Sequence, residues 1–398
     1  MMNTHPSRRA FVGTALSSVL ARSASAADRI SLAVIGAGDR GTYLLKEITK
    51  CSGVNVAVTA VCDVYKPNRE RYAARVREIW GAEPFQTVNF REVLARRDVD
   101  AVIISTPDFG HSRILQEAVE AGKDAYCEKP MAVDFAEGKA AYLAVKKSDR
   151  VVQIGTQRRS EGAYIGAARL VHAGVLGRIT RVNFSMNFQQ PRWRRDYSTV
   201  TPQDVAWKEF LFNRPDRPFD ARLLREWQLF RTCTSGIAGL WMCHYIDQVH
   251  WFLQDPYPAS AVANGGVYFW KDGRETSDVF QALLSYPKGF LVSFGMSLTN
   301  ESGNLNLWCG ERGTMDMEKY VISGAGSKAA DRLEKESPIQ PEPTTSHMQN
   351  FLECVRSRQK PRADIEAGFS HAVACCMAAQ ALDSGRRIEF DRAKLAIV

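Results

Sequence analysis

The chain has 398 residues, 45% hydrophobic and 24% charged, the proportions of an ordinary soluble globular protein. Its 52 Lys and Arg against 44 Asp and Glu give a formal charge of +8, scattered in short runs at 157–159 and 192–195. With no basic stripe and no nucleic-acid motif, that balance excludes nucleic acid as the expected partner.

The N-terminal segment reads as an export signal over residues 1–26. Arg8 and Arg9 form a twin-arginine pair between Ser7 and Phe11, a weakly apolar run reaches Leu20, and Ala24-Ser25-Ala26 offers a small-residue cleavage site. This predicts passage through the twin-arginine export machinery to the periplasm or beyond. No run approaches the roughly 20 apolar residues that a membrane span requires. Residues 27–398 are long for one core and comfortable for two domains. The nine cysteines are odd in number, show no C-x-x-C spacing and mostly sit in apolar runs. They predict buried thiols, with neither a disulfide framework nor a metal site.

From residue 30 strand and helix signals alternate. The strands are "ISLAVIG", "NVAVTAVCD", "DAVIIST", "DAYCEKP" and "VVQIGTQ"; the helices between them are "RGTYLLKEITK", "NRERYAARVREIW", "GHSRILQEAVEAGK" and "DFAEGKAAYLAVKKSDR". Such alternation predicts an α/β fold with a parallel sheet and crossover helices, over 27–150. Gly36-x-Gly38-x-x-Gly41 follows the first strand and opens the first helix, with Asp39 and Arg40 inside the motif. In that setting Gly36 makes the tight turn, Gly38 lets backbone N–H groups approach a pyrophosphate, and Gly41 permits close helix–strand packing. Asp63 ends the second strand, where an acid accepts hydrogen bonds from ribose hydroxyls and repels a 2′-phosphate. The expected cofactor is therefore NAD, while Lys66 and Arg69 nearby leave NADP open.

"YCEKPMA" at 126–132 ends a predicted parallel strand, beyond which ligands bind in such sheets. Taken in order, the glycine motif, Asp63, "STPDFGH", "CEKPMA" and "QIGTQRR" resemble the Gfo/Idh/MocA oxidoreductase family, and the resemblance runs through the chain after the signal. It implies a Rossmann domain followed by an α/β domain (151–398) with an open, mainly antiparallel sheet that often supports homo-oligomers. Implied substrates are sugars, cyclitols and their derivatives. By the same resemblance Lys129 contacts the reacting hydroxyl, while Thr106, Pro107, His111 and Glu128 line the cofactor. Gln157, Arg158 and Arg159 are candidate substrate contacts. His244, in "GLWMCHYIDQVHWFL", matches the family's active-site histidine. Many members carry an acid four residues before it; here that residue is Leu240, which puts the usual Asp–His relay in doubt. Asp247 reads as a helix-side hydrogen-bonding residue and His250 as structural.

The second domain offers strand-like runs at "RITRVNFSMNFQQ", "PASAVANGGVYFW", "DVFQALLSYPKGF", "LVSFGMSLTN" and "NLNLWCGERGTMDMEK", several alternating apolar and polar residues. Helices at 160–174, 240–253 and 345–384 are expected to cover one face. The stretch 189–227, rich in Pro, Asp and Trp, reads as a long excursion near the site. Its Trp193, Trp207 and Trp227 either stack on a sugar ring or pack the excursion down.

An exported nicotinamide enzyme meets no free coenzyme pool, so its cofactor must be loaded before transport and recycled in place. The expected chemistry is hydride transfer on a hydroxyl or carbonyl of a sugar-like molecule. Redox-neutral glycoside cleavage or epimerisation is an alternative, as is a silent sugar- or nucleotide-binding protein. Replacing Arg8 and Arg9 together by Lys should strand the precursor in the cytoplasm. Fractionation that still finds mature double mutant in the periplasm would refute the twin-arginine reading.

Overall fold

The structure, a computed structural model, describes residues 29–398; the export signal expected over 1–26 lies outside the described residues. The first sheet holds β1 (Ile30–Ile35), β2 (Val56–Cys62), β3 (Phe85–Thr87), β4 (Ala101–Ile104), β5 (Asp124–Cys127) and β6 (Val152–Ile154). All six run parallel in the order β3-β2-β1-β4-β5-β6. The central strands are apolar throughout because helices cover both faces. Those helices are α1 (Asp39–Thr49), α2 (Lys66–Trp80), the short α3 (Phe90–Leu94), α4 (His111–Glu120) and α5 (Phe135–Lys147). Strand order reverses between β1 and β4, which opens a crevice at their carboxyl ends. The sixth strand lies beyond the boundary expected at 150. A turn at Gln157–Ser160 joins it directly to the next domain, so no linker composition marks the junction.

The second sheet is mixed, with ten strands. It contains β7 (Ile179–Asn187), β8 (Ser260–Gly266), β9 (Val279–Tyr286), β10 (Phe290–Ser297), β11 (Leu305–Gly310), β12 (Gly313–Asp316), β13 (Val321–Ser323), β14 (Ser337–Pro338), β15 (Ile388–Asp391) and β16 (Ala396–Ile397). Only β7 and β10 pair in parallel; the other pairings are antiparallel. Burial alternates along β9, with Phe280, Ala282 and Leu284 inside and Gln281 and Leu283 outside. The outer face keeps Val262, Leu283 and Leu291 exposed.

The inner face is covered by α6 (Gly162–His172), α9 (Cys243–Leu253) and α11 (Ile365–Ser384). The expected helix over 345–384 is two helices. The first, α10 (His347–Ser357), ends at Arg358 in the left-handed region, three residues before Pro361. It crosses back to the first domain, packing Met348, Phe351 and Leu352 with Leu32, Val34 and Ile103. Among the described residues α11 alone would suffice, by length and composition, for a membrane span, but it is a core helix here, with His371 through Ala378 buried. The nine cysteines are all free thiols, and seven of them are buried.

The excursion is not a bare loop. It carries α7 (Trp207–Leu211) and α8 (Ala221–Arg225) around a small core of its own, in which Phe210, Leu223 and Leu229 meet Phe109 of the first domain. Ala206 N–H donates to Val64 O at 2.9 Å, which fastens the excursion to the end of β2.

His347 pins α10 to β6. One ring nitrogen faces the Ile154 carbonyl and the other the Ser160 hydroxyl, both at 2.8 Å. A carbonyl only accepts, so the Nε2–H tautomer donates to Ile154 and Nδ1 accepts from Ser160. Burial pushes this imidazole down to about 4. Above about pH 6.5 it is neutral whether the chain is folded or not. Below that, only the unfolded chain takes the proton, so folding stability should fall by about 1.4 kcal/mol per pH unit until about pH 4. Denaturant titrations at several pH values should show a shallower slope in His347→Gln. An unchanged slope would remove His347 from the acid sensitivity.

Candidate active site

The crevice at the carboxyl ends of β1 and β4 widens into a cleft of about 440 Å³ that contains Gly36, Gly38, Asp39, Arg40 and Asp63. Gly36 has φ +97, and a Cβ there would stand 2.6 Å from the Ser105 backbone. At Gly41 a Cβ would meet Gly36 O at 2.2 Å. The protein itself requires both glycines. Gly38 differs: a Cβ would meet nothing nearer than Asn68 Nδ2 at 3.7 Å. Only an occupant of the cleft needs that space, as a pyrophosphate above the N-terminus of α1 would. Asp63 is buried at the opposite wall, where burial raises its carboxyl against the hydrogen bonds that lower it. Its two oxygens accept from the N–H groups of Ala37 (2.6 Å) and Tyr65 (2.8 Å), leaving lone pairs for ribose hydroxyls. Arg69, one of the two residues that left NADP open, donates to the Asp63 carbonyl at 2.9 Å, and Lys66 stands 4.0 Å from Glu70. The residues present thus fit a dinucleotide.

The excursion forms the other side of the cleft through Arg195, Phe210, Leu224, Arg225, Trp227 and Gln228. Arg40, Thr106, Trp227 and Gln228 also line a second pocket of about 330 Å³, so the two spaces adjoin. Here Lys129, His244, Glu128 and Gln157 come together with Asp108, Leu240 and three tryptophans, Trp193, Trp227 and Trp241. Trp207 instead stacks on Phe210 and holds the excursion down.

Glu128 is only 3% exposed. It accepts from Arg40 at 2.7 Å, from Gln157 Nε2 at 3.2 Å and from the Tyr126 hydroxyl at 3.3 Å. His111 sits in the wall, its ring nitrogens 2.9 Å from Thr106 O and 2.8 Å from Pro130 O, and ties the "STPDFGH" turn to the Lys129 segment. Lys129 Nζ donates to Leu240 O at 2.9 Å. Leu240 belongs to a π-helical turn, Ala238–Met242, that leads into α9. At Leu240 this chain therefore presents a backbone carbonyl to the lysine. Burial, followed by the charges of Lys129 and Arg158, pushes the His244 imidazole well below its usual range, so it is neutral near pH 7. Neither ring nitrogen has a hydrogen-bond partner among the described residues.

Two of the three expected substrate contacts lie elsewhere. Arg159 grips the buried Asp247 with three bonds of 2.9–3.0 Å and spans to α9, which satisfies both charges. Arg158 lies over the rings of Tyr245 (4.6 Å) and Tyr164 (5.3 Å), outside the pocket lining. Of the three, Gln157 alone lines the pocket. Sequence reasoning did not single out Asp108, Trp241, Tyr43 or Asn68. Asp108 and Trp241 stood inside quoted motifs, but no spacing rule distinguished them.

Family models match both domains: an oxidoreductase family with an NAD-binding Rossmann fold over residues 30–156, and that family's C-terminal α/β domain over 168–390. The chain belongs to the Gfo/Idh/MocA oxidoreductase family. It is 34% identical over 152 residues to a scyllo-inositol 2-dehydrogenase (NAD(+)) of Bacillus subtilis, covering 38% of this chain and 42% of that enzyme. It therefore spans less than half of that relative's length. Its fold matches the WlbA dehydrogenase of Bordetella pertussis in complex with NADH and UDP-GlcNAcA, with a TM-score of 0.69, 18% identity, and coverage of 91% of this chain and 99% of that one. It also matches an aldose-aldose oxidoreductase of Caulobacter crescentus complexed with glycerol, with a TM-score of 0.68, 19% identity, and coverage of 91% and 100%.

Asp63→Ala should weaken NAD by about tenfold, the worth of charge-assisted hydrogen bonds, and narrow the gap to NADP. Fluorescence titration of NADH and NADPH measures both. Tighter NADPH than NADH binding by the unmutated protein would overturn the assignment of Asp63.

Proposed function

We propose that the protein is an exported, NAD-dependent oxidoreductase acting on a hydroxyl-bearing carbon of a sugar, cyclitol or derivative, and that it keeps its cofactor through its working life. The observation that carries the reading is one pocket, adjoining the NAD cleft, in which Lys129, a neutral His244 and three tryptophans face one another. NAD, when bound, supplies the hydride acceptor. The chain's own residues handle the substrate and its proton. Lys129 Nζ spends one N–H on Leu240 O and keeps its remaining valences for the substrate oxygen. Neutral His244 can accept a proton, which an imidazolium could not. Indole faces suit the C–H faces of a pyranose or cyclitol ring. The inositol and aldose activities of the relatives support that substrate class.

Cofactor retention is supported by the excursion, which closes the cleft and is fastened to β2 at Val64. Arg195 adds a long-range contact, 3.6 Å from Asp39 at the N-terminus of α1. Export is supported by the twin arginines, because that route carries folded, loaded proteins.

Lys129→Met should purify with NAD still bound, since the glycines and Asp63 hold it. Single-turnover reduction of that NAD by a reactive sugar or cyclitol should fall by about 10²–10⁴-fold. A variant that reduces its NAD at the normal rate would strip Lys129 of the role. An unmutated protein that holds NAD but transfers no hydride with any such substrate would favour the silent-binder reading.

A further inference from the structure

We infer that Arg195, carried by the excursion, supplies the cation of the site that takes the dinucleotide's diphosphate. The inference rests on the proposed NAD reading and deepens it, because it names the contact by which the second domain retains the cofactor.

The first domain alone offers an anion little positive charge. Among the described residues, its charged cleft lining is Asp39, Arg40 and Asp63. Arg40 pairs with the buried Glu128. Asp39 takes the first position of α1, where an acid steadies the helix dipole but repels a phosphate brought to the same end. Asp63 already takes the Ala37 N–H of the glycine turn at 2.6 Å. The remaining amides of that turn can hydrogen-bond a diphosphate, but two carboxylates beside them oppose its charge.

The excursion brings two further arginines to the same cleft, Arg195 and Arg225. Arg225 stands at the Asp63 end. Its guanidinium is 5.9 Å from the centre of the Tyr65 ring, and the Tyr65 N–H donates to Asp63. Arg195 stands at the glycine-turn end. Its Nε lies 3.6 Å from Asp39 Oδ2, so it offsets the Asp39 charge at the start of α1, one residue beyond Gly38. Nη1 donates to Arg194 O at 3.1 Å, and Nη2 has no hydrogen-bond partner among the described residues. A planar guanidinium with a free edge beside a helix N-terminus suits phosphate oxygens.

The backbone that carries Arg195 is fixed. Its N–H donates to Glu226 Oε1 at 2.8 Å. The Glu226 side chain is fully buried and also accepts from Arg194 Nε and Arg222 Nε, each at 2.8 Å. Burial raises this carboxyl, but the bonds from Arg222, Arg195 and Arg194 outweigh it and hold it below its usual range. Arg225 Nε donates to Asp196 O at 3.3 Å, which laces the 194–196 and 222–227 segments together. An anion bound between Arg195 and the glycine turn therefore ties the second domain to the first.

Protein loaded with NADH tests this through fluorescence, independently of turnover. In a chase with excess NAD, Arg195→Ala should release NADH about 10- to 100-fold faster, the worth of a charge-assisted hydrogen bond. Displacement of NADH by ADP and by adenosine separates charge from shape. ADP affinity should fall by the same factor, while adenosine affinity stays at the wild-type level. Raising salt should speed NADH release from the unmutated protein and change it less in Arg195→Ala. Arg195→Lys, which keeps the charge, should recover part of each effect. Wild-type NADH release and ADP affinity in Arg195→Ala would overturn the inference. So would equal losses for ADP and adenosine, since Arg195 would then shape the cleft rather than hold an anion. An unmutated protein that binds none of the three ligands would overturn the cofactor reading and this inference with it, a result distinct from either.

Discussion

One buried carboxylate holds the two halves of the site in register. Glu128 follows β5, at the carboxyl edge of the sheet, and a charge taken out of water there persists only if paired and hydrogen-bonded. Arg40, from the first turn of α1, supplies the opposite charge, and Gln157, from the turn after β6, supplies a neutral donor. The ends of three strands of the Rossmann sheet, β1, β5 and β6, are thereby fixed around one group. Room for that carboxylate comes from Gly155, where a Cβ would stand 2.7 Å from Glu128 Oε2. Lys129 is the next residue along, so its position relative to the phosphate-binding turn is set by the pairing of its neighbour. Arg40 opens a phosphate-binding helix yet is committed to Glu128, which leaves the backbone of the glycine turn as the anion's main support.

The wall opposite is built by a different device. A π-helical turn before α9 adds one residue to the helix and changes which side chains face inward. Gly239 makes this possible, because a Cβ there would press within 2.4 Å of Ser235 Oγ and 3.2 Å of Pro130. The turn brings the Leu240 carbonyl to Lys129 and sets His244 beside the pocket. Lys129 thus bridges the two domains with a single hydrogen bond, and its charge helps keep His244 neutral. The Arg159–Asp247 pair locks α9 from behind. Because that pair is buried, losing either partner would leave an uncompensated charge under the helix that carries His244.

Much of this was legible in the sequence, and what was legible was local. The β–α alternation, the glycine turn and Asp63 depend on neighbours within a few residues, and the structure places these residues at the strand ends and helix start expected of them. The misreadings are long-range. In sequence Arg159 reads as a substrate contact after the strand "VVQIG"; its partner Asp247 is 88 residues away on another helix, and no local pattern reports that pairing. The segment 345–384 keeps an apolar rhythm on both sides of its break. Pro361 was the available signal, and it was outweighed by that rhythm. The return of α10 to the first domain is invisible locally, since Met348, Phe351 and Leu352 would serve any core. Asp108 sat in a quoted motif, but only the fold brings Thr234 to it from 126 residues away.

The excursion gives the proposed export and the nucleotide cleft a common physical logic. An open Rossmann crevice exchanges its nucleotide with solvent, which suits a compartment where that nucleotide is abundant. Residues 195–228 line the crevice with Phe210, Leu224 and Trp227, apolar side chains whose contacts with a bound nucleotide would have to break before it departs. The cover folds around its own small core and is anchored at Val64, so its opening costs more than the movement of a free loop. Slow release of this kind is what the proposed export of a loaded enzyme would need. It also requires that oxidised and reduced cofactor be interconverted without leaving. On the proposed reading, substrates would enter and leave through the tryptophan-lined pocket while the nucleotide stayed in the adjoining cleft, on the other side of Arg40, Thr106, Trp227 and Gln228, which line both spaces.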